Sequence, residues 1–436
     1  MATLQIRQRP AHNGKYPITL RLCRPGKPEL EAEANIEFTL TPREQEDLRW
    51  YLEDYLQTAD QIAPVTVTQI EAMMKACGED LYTKVLAHDM RTQALWFAIR
   101  NDLADLRIEI TTEVTEAAAI PWELMRDPQS GSVISLRVRA FVRVQCNPNI
   151  DFIAVPPAAD GRVRLLYVVC RPSGAADVGL RAIANRLLQG LDAEHVRARF
   201  HITALRPPTF ERLQTELTDA RNAGRPYHIV HFDGHGVYAD LEHTTLKAWL
   251  ASLNHLVLGG GGSGKHGYLL FEHPGPEKMR PVDGHMLGQL LHDTGAPILV
   301  LNACQSAMHE VTAAAPDSAS VHDEVRAIGS LAQAVIDQGI PAVLGMRYSV
   351  YVVTAAQYIG QLYAALAKGR GFGEAASDGR KHLQLNPERW VGLQPRPLHD
   401  WFVPVVYEAT PIQLFPAGQP APLAGPSEVD PVQANP

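Results

Sequence analysis

The chain has 436 residues, 46 % hydrophobic and 20 % charged, with a formal net charge of −8. That length suits two or three domains or subdomains, and a mildly acidic chain without a basic block argues against a nucleic-acid-binding protein. The five cysteines (Cys23, Cys77, Cys146, Cys170 and Cys304) are scattered and lack a CxxC pair, indicating neither a disulfide framework nor a cysteine-rich zinc site. No signal peptide opens the sequence and no apolar run reaches about eighteen residues, so a cytoplasmic protein without membrane association is expected.

Residues 18–22 and 34–38 alternate in hydrophobicity around the turn-prone Arg24-Pro25-Gly26-Lys27-Pro28, which predicts an amino-terminal hairpin or small sheet. Thr41-Pro42 followed by Glu44 predicts a helix start, with a capping hydroxyl, proline in the first turn and an acid near the dipole. Leu48, Tyr51, Leu52, Tyr55 and Leu56 mark one helical face. Further helices are expected over residues 66–77 and 92–102. A strand is expected over 106–110 and a docked helical turn over 119–125.

From about residue 160 strands and helices alternate. Strands are predicted at 162–171, 199–205, 227–234, 267–271, 297–304 and 342–346. Helices are predicted at 180–188, 209–222, 286–292, 328–338, 352–368 and 373–386. This is an α/β layout with a mainly parallel sheet and helices on both faces. The last thirty or so residues, rich in Pro, Ala and Gly, read as a disordered tail.

Two strand ends stand out. Residues 227–236 (YHIVHFDGHG) end at His235 between two glycines, and residues 297–306 (PILVLNACQS) end at Cys304 beside small residues. In a parallel sheet both project from the carboxyl edge. A thiolate needs a nearby base or a lowered pKa, so His235 as base and Cys304 as nucleophile form a candidate dyad. A helix beginning after Cys304 would favour the thiolate. Gly234 and Gly236 would turn the backbone sharply and hold the ring exposed, and the N–H groups of Gly236 and Cys304 would serve a developing oxyanion. The competing reading makes Cys304 a buried small hydrophobe and His235 a loop histidine.

The HFDGHG and VLNACQS pair resembles the motifs of the CHAT domain, a caspase-like domain related to separases, caspases and gingipains. The likeness extends over about residues 105–390 and includes 119–128 (AIPWELMRDP), 339–346 (GIPAVLGM) and 358–380. It implies a caspase-like α/β/α sandwich with an α+β amino-terminal extension over 1–105, packed on a peptidase domain at 106–400, and a tail at 401–436. It implies a cysteine endopeptidase with His235 as base and general acid and Cys304 as nucleophile. Relatives cut a specific protein in bacterial defence or regulated cell death, sometimes a gasdermin-like pore former. Control by an activating protein or by self-cleavage is part of that expectation. The alternative is a caspase-like adaptor that uses the fold without cleaving.

Other candidates weigh less. Residues 259–265 (GGGGSGK) fit G-x-x-x-x-G-K but lack the following Ser or Thr and helix that a phosphate loop needs, so a nucleotide switch is disfavoured. His228, His231 and His235 lie on one strand whose side chains alternate, which makes a zinc cluster awkward; neither metal nor cofactor is expected. Peptide specificity falls to loops at the carboxyl edge. Asp233 and Asp283 are candidates for a basic P1 residue, Arg347 for an acidic one, and Tyr348 for the wall beside them.

Overall fold

The computed structural model describes residues 1–57, 63–112, 120–144, 149–158, 160–171, 194–239, 266–275, 279–304, 321–348, 350–391 and 394–415. Strands β1 (Ala2–Gln8), β2 (Tyr16–Cys23) and β3 (Leu30–Ile36) form an antiparallel meander. Their alternation turns Leu4, Ile6, Ile18, Leu20, Leu22, Ala32 and Ala34 inward while Arg7, Arg21, Glu31 and Glu33 face outward. Helix α1 (Pro42–Arg49) starts on the expected capping box, with the Thr41 hydroxyl accepting from Glu44 N at 3.2 Å and the Glu44 carboxylate accepting from Thr41 N at 2.7 Å.

Helix α2 (Ala63–Leu86) runs well past the expected end at residue 77. Gly78 lies inside the helix, where it serves a close approach. A Cβ there would sit 2.1 Å from the Leu124 carbonyl oxygen, and the Arg126 N–H donates to the Gly78 carbonyl at 3.0 Å. Helix α3 (Met90–Phe97) follows, then β4 (Leu106–Thr112) and β5 (Ala140–Val144). Strand β1 is parallel to β4, and β4 to β5. Residues 1–105 therefore continue the central sheet edge to edge across the expected boundary at 105.

The remaining strands are β6 (Val163–Val169), β7 (Phe200–Ala204), β8 (Ile229–Ala239), β9 (His266–Glu272), β10 (Met279–Asp283), β11 (Ile298–Cys304), β12 (Ala342–Met346), β13 (Glu388–Val391), β14 (Gln394–Pro397) and β15 (Pro404–Glu408). The helices are α4 (Glu194–Arg197), α5 (Phe210–Asn222), α6 (Gly284–Thr294), α7 (Val321–Ile336), α8 (Val352–Ala367) and α9 (Phe372–Leu385). The expected helix at 180–188 lies outside the described residues. Strands β7, β6, β8, β11 and β12 are parallel in that spatial order; β15 then runs antiparallel to β12 and leads to β5, β4, β1, β2 and β3. The β9–β10 hairpin pairs with the carboxyl half of β8, beyond the end of β6.

Alternation along the central strands explains why both faces are covered. Ile229, Ile298, Val300, Ala342 and Leu344 share a core with Tyr358, Leu362 and Phe372 of α8 and α9. Val230, Phe232, Leu299, Leu301 and Val343 share the other with Phe210, Leu217, Leu287, Leu291, Leu331 and Val335 of α5, α6 and α7. The result is a caspase-like α/β/α sandwich with a largely parallel sheet.

The carboxyl-terminal reading needs correction. Residues 401–415 are folded: β15 fills the sheet between β12 and β5, and Trp401, Phe402, Val403, Ile412 and Phe415 are core residues. Glu408 is buried and accepts from Arg107 Nη1 at 2.6 Å. The Pro-Ala-Gly composition of the surrounding segment masked a short run that is buried on both faces and so shows no alternation. Residues 416–436 lie outside the described residues.

Candidate active site

Strands β8 and β11 are adjacent and parallel, with Cα partners running from Ile298↔Ile229 to Cys304↔His235. The two reactive positions oppose each other on the last pair. The two-residue period puts positions 231, 233 and 235 of β8, and 300, 302 and 304 of β11, on the face that α8 covers.

The surroundings of His235 differ from the expected exposed strand end. Strand β8 continues to Ala239, because β9 takes over as its neighbour with His235 opposite Leu270 and Gly236 opposite Leu269. His235 is 7 % exposed. Gly234 does not turn the chain; a Cβ there would meet the Phe232 ring at 2.7 Å and Cys170 Cβ at 3.2 Å. Glycine allows those groups to pack against the strand. Cys304 is the last residue of β11, and the segment expected to supply a helix amino terminus, residues 305–320, lies outside the described residues. So does the 259–265 glycine run.

One period below the dyad, Asp233 and Asn302 are Cα partners and their side chains bond, Asn302 Nδ2 donating to Asp233 Oδ2 at 3.0 Å. Arg171 Nη2 meets Asp233 Oδ1 at 2.5 Å, and Tyr167 OH donates to Oδ2 at 3.4 Å. Arg171 is itself fixed by Nη1 donating to the carbonyls of Cys170 at 2.7 Å and Asp233 at 3.1 Å. Asp233 is thus engaged by the fold rather than presented to a P1 side chain. Neither Arg171 nor Asn302 was singled out by the sequence, although Asn302 sits inside the NACQS motif.

The next residue down that face, His231, is buried between Tyr167, whose ring stands edge-on at 5.1 Å, and Tyr363, whose hydroxyl is 3.0 Å from Nδ1. Burial pushes the His231 pKa down to about 4, against the pull of the Asp233 charge. An unfolded chain binds a proton at this histidine below its ordinary value of 6.5, and the native state does not until about 4. Stability therefore falls as pH drops through that window, by about 3 kcal/mol in full. Urea denaturation from about pH 7.5 to about pH 4.5 should give a midpoint that declines less in His231→Gln than in the wild type. Parallel declines would overturn the assignment.

The other expected specificity residues also turn inward. Asp283 caps α6, accepting from Met286 N at 2.7 Å. Arg347 is buried, with Nη1 donating to Ile120 O at 3.2 Å and Glu123 Oε2 at 3.4 Å. Tyr348 packs edge-to-face on Phe402 with centroids 6.5 Å apart. Each charge satisfies an internal partner, which is why reading it as a surface recognition group fails. Glu123, in the IPWELM stretch, also accepts from Arg143 Nη2 at 3.1 Å. Burial would raise its pKa, but Arg143 and Arg347 hold the carboxyl below its ordinary value.

Of the histidines weighed for zinc, His228 Nδ1 accepts from Arg164 N at 3.0 Å and His231 is tied to Tyr363. Among the described residues no three or more His, Cys, Asp or Glu side chains are grouped to hold a metal ion. No described helix is long and apolar enough to cross a membrane.

The family model of the CHAT domain matches residues 75–407. The chain belongs to the CHAT-domain family. The match ends within β15, at residue 407, in agreement with the folded state of residues 401–407. Two crystal structures of the Saccharomyces cerevisiae separase–securin complex are similar to this CHAT-domain chain, each with a TM-score of 0.41 and 10 % identity over 94 % of its length. The chain spans 30 % of the matched chain in those structures. No curated protein matches. Membership places the protein in a caspase-like, peptidase-associated family.

Proposed function

We propose that this CHAT-domain protein is a cysteine endopeptidase acting through His235 and Cys304 on a specific protein substrate. The observation that carries the reading is the pairing of positions 235 and 304 as Cα partners at the carboxyl end of adjacent parallel strands. In the reaction His235 takes the Cys304 thiol proton and the thiolate sulfur attacks the scissile carbonyl carbon. The N–H groups of Gly236 and Cys304 stabilise the oxyanion. As the C–N bond breaks, His235 returns the proton to the leaving amine, and water hydrolyses the thioester with His235 again as base. Family resemblance supports a role in bacterial defence or regulated cell death, with a gasdermin-like protein among the substrates to be tried, and activation by a partner protein or by self-cleavage.

The test is a diverse peptide library incubated with the wild type and Cys304→Ala, with cut sites read by mass spectrometry. Cuts present only in the wild type are expected, and their sequences give the P1 preference. An intact-mass change confined to the wild type would reveal self-processing. Silence on both counts, with no labelling of Cys304 by a thiol-reactive peptide mimic, would replace the peptidase by a non-catalytic adaptor.

A further inference from the structure

We infer that Asp233, clamped between Arg171 and Asn302, is a positioning residue that sets the spacing of the His235–Cys304 pair. The inference rests on the dyad reading. The Asp233–Asn302 bond is the rung immediately before positions 235 and 304 on the same face of the same two strands. One carboxylate joins three neighbouring strands, because Arg171 follows β6 and pairs with Oδ1 while Asn302 of β11 pairs with Oδ2. The guanidinium is in turn anchored on two backbone carbonyls, one of them that of Asp233 itself. Arg171 N also donates to Glu272 Oε1 at 2.9 Å, which ties β9, the other neighbour of His235, to the same cluster.

Two features favour positioning over contact with substrate. Asp233 is 3 % exposed, and both of its oxygens already have partners within the fold. A charge-assisted cluster excluded from water is rigid, because in low dielectric each member restrains the others strongly. Rigidity matters here because the sheet hydrogen bonds alone do not fix how far two side chains at a strand end stand apart. A misplacement of about 1 Å in such a pair costs roughly 100-fold in rate. Asn302 is the informative member, since its loss opens the rung while the Asp233–Arg171 ion pair stays intact.

The experiment measures peptide cleavage by Asn302→Ala, together with the pH dependence of iodoacetamide alkylation at Cys304, read on the Cys304 peptide by mass spectrometry. The expected result is a kcat about 10- to 100-fold lower with KM within about twofold. The alkylation profile should move toward that of His235→Asn, and P1 preference should be unchanged. If Asn302→Ala fails to fold, judged by thermal melting, Asn302→Ser is read in the same way. A raised KM or altered P1 preference with kcat intact would overturn the inference by making the cluster a substrate site. So would an alkylation profile identical to the wild type in Asn302→Ala while His235→Asn shifts it. Failure of the dyad reading looks different: His235→Asn itself then leaves the Cys304 profile where it was.

Discussion

Replacing His235 by asparagine should lower cysteine-dependent peptide cleavage by about 100- to 10,000-fold, and Cys304→Ala should abolish it, with thermal stability changed little by either. The size follows from the division of labour. Without the imidazole the sulfur must ionise unaided and the leaving amine must find a proton from water, so the loss falls on kcat. In the proposed mechanism the two groups act as a unit, so the double variant should be no slower than Cys304→Ala alone. A His235→Asn enzyme retaining more than about a tenth of wild-type kcat would show that another group supplies the base. Asparagine keeps a polar side chain in a position that is nearly closed to solvent and flanked by strands on both sides. It therefore separates loss of the base from loss of the strand.

How much of this was legible in the sequence depends on what kind of signal each element left. Strands buried on both faces appear as short apolar runs, so β6, β8, β11 and β12 were readable and their order with the helices gave the sandwich. Periodicity reports burial and says nothing of partners. The same reading therefore placed His235 at an exposed strand end, although β9 carries β8 onward past it. Composition misled at the carboxyl terminus, where the run Pro404–Glu408 lies among prolines that suggested a tail. The candidate pair drew attention because reactive residue types sat beside small ones at strand ends, and the register makes the two positions Cα partners. The Arg171–Asp233–Asn302 cluster did not, because its members come from two strands and the segment after a third and become neighbours only through the register. Charged residues near the carboxyl edge looked like specificity determinants for the same reason. A sequence shows a charge but not the opposite charge that folding brings to it, as Glu123 does for Arg347.

That last pairing carries the largest stability prediction. Glu123→Ala should destabilise the protein by about 3–5 kcal/mol, read as a shift in urea midpoint at neutral pH. Its carboxylate is fully buried between Arg143 of β5 and Arg347, just past β12. The cost lies less in the lost attraction than in what remains, two guanidinium groups buried beside one another with their shared counter-charge gone. Arg347 already pays for that proximity, since desolvation and the Arg143 charge both lower its pKa. Removing one cation along with the anion should therefore recover part of the loss, so Glu123→Ala/Arg347→Met is expected to be more stable than Glu123→Ala alone. Simple additivity, with the double variant weaker than either single one, would show that the pair contributes through packing rather than charge. The neighbours of Glu123 show which parts of the sheet this pair connects. Trp122 and Ile120 lie in the core built by β1–β4, whereas Arg347 leads directly out of the strand beside β11. One buried carboxylate thus joins the core built by β1–β4 to the carboxyl end of β12, the strand next to β11.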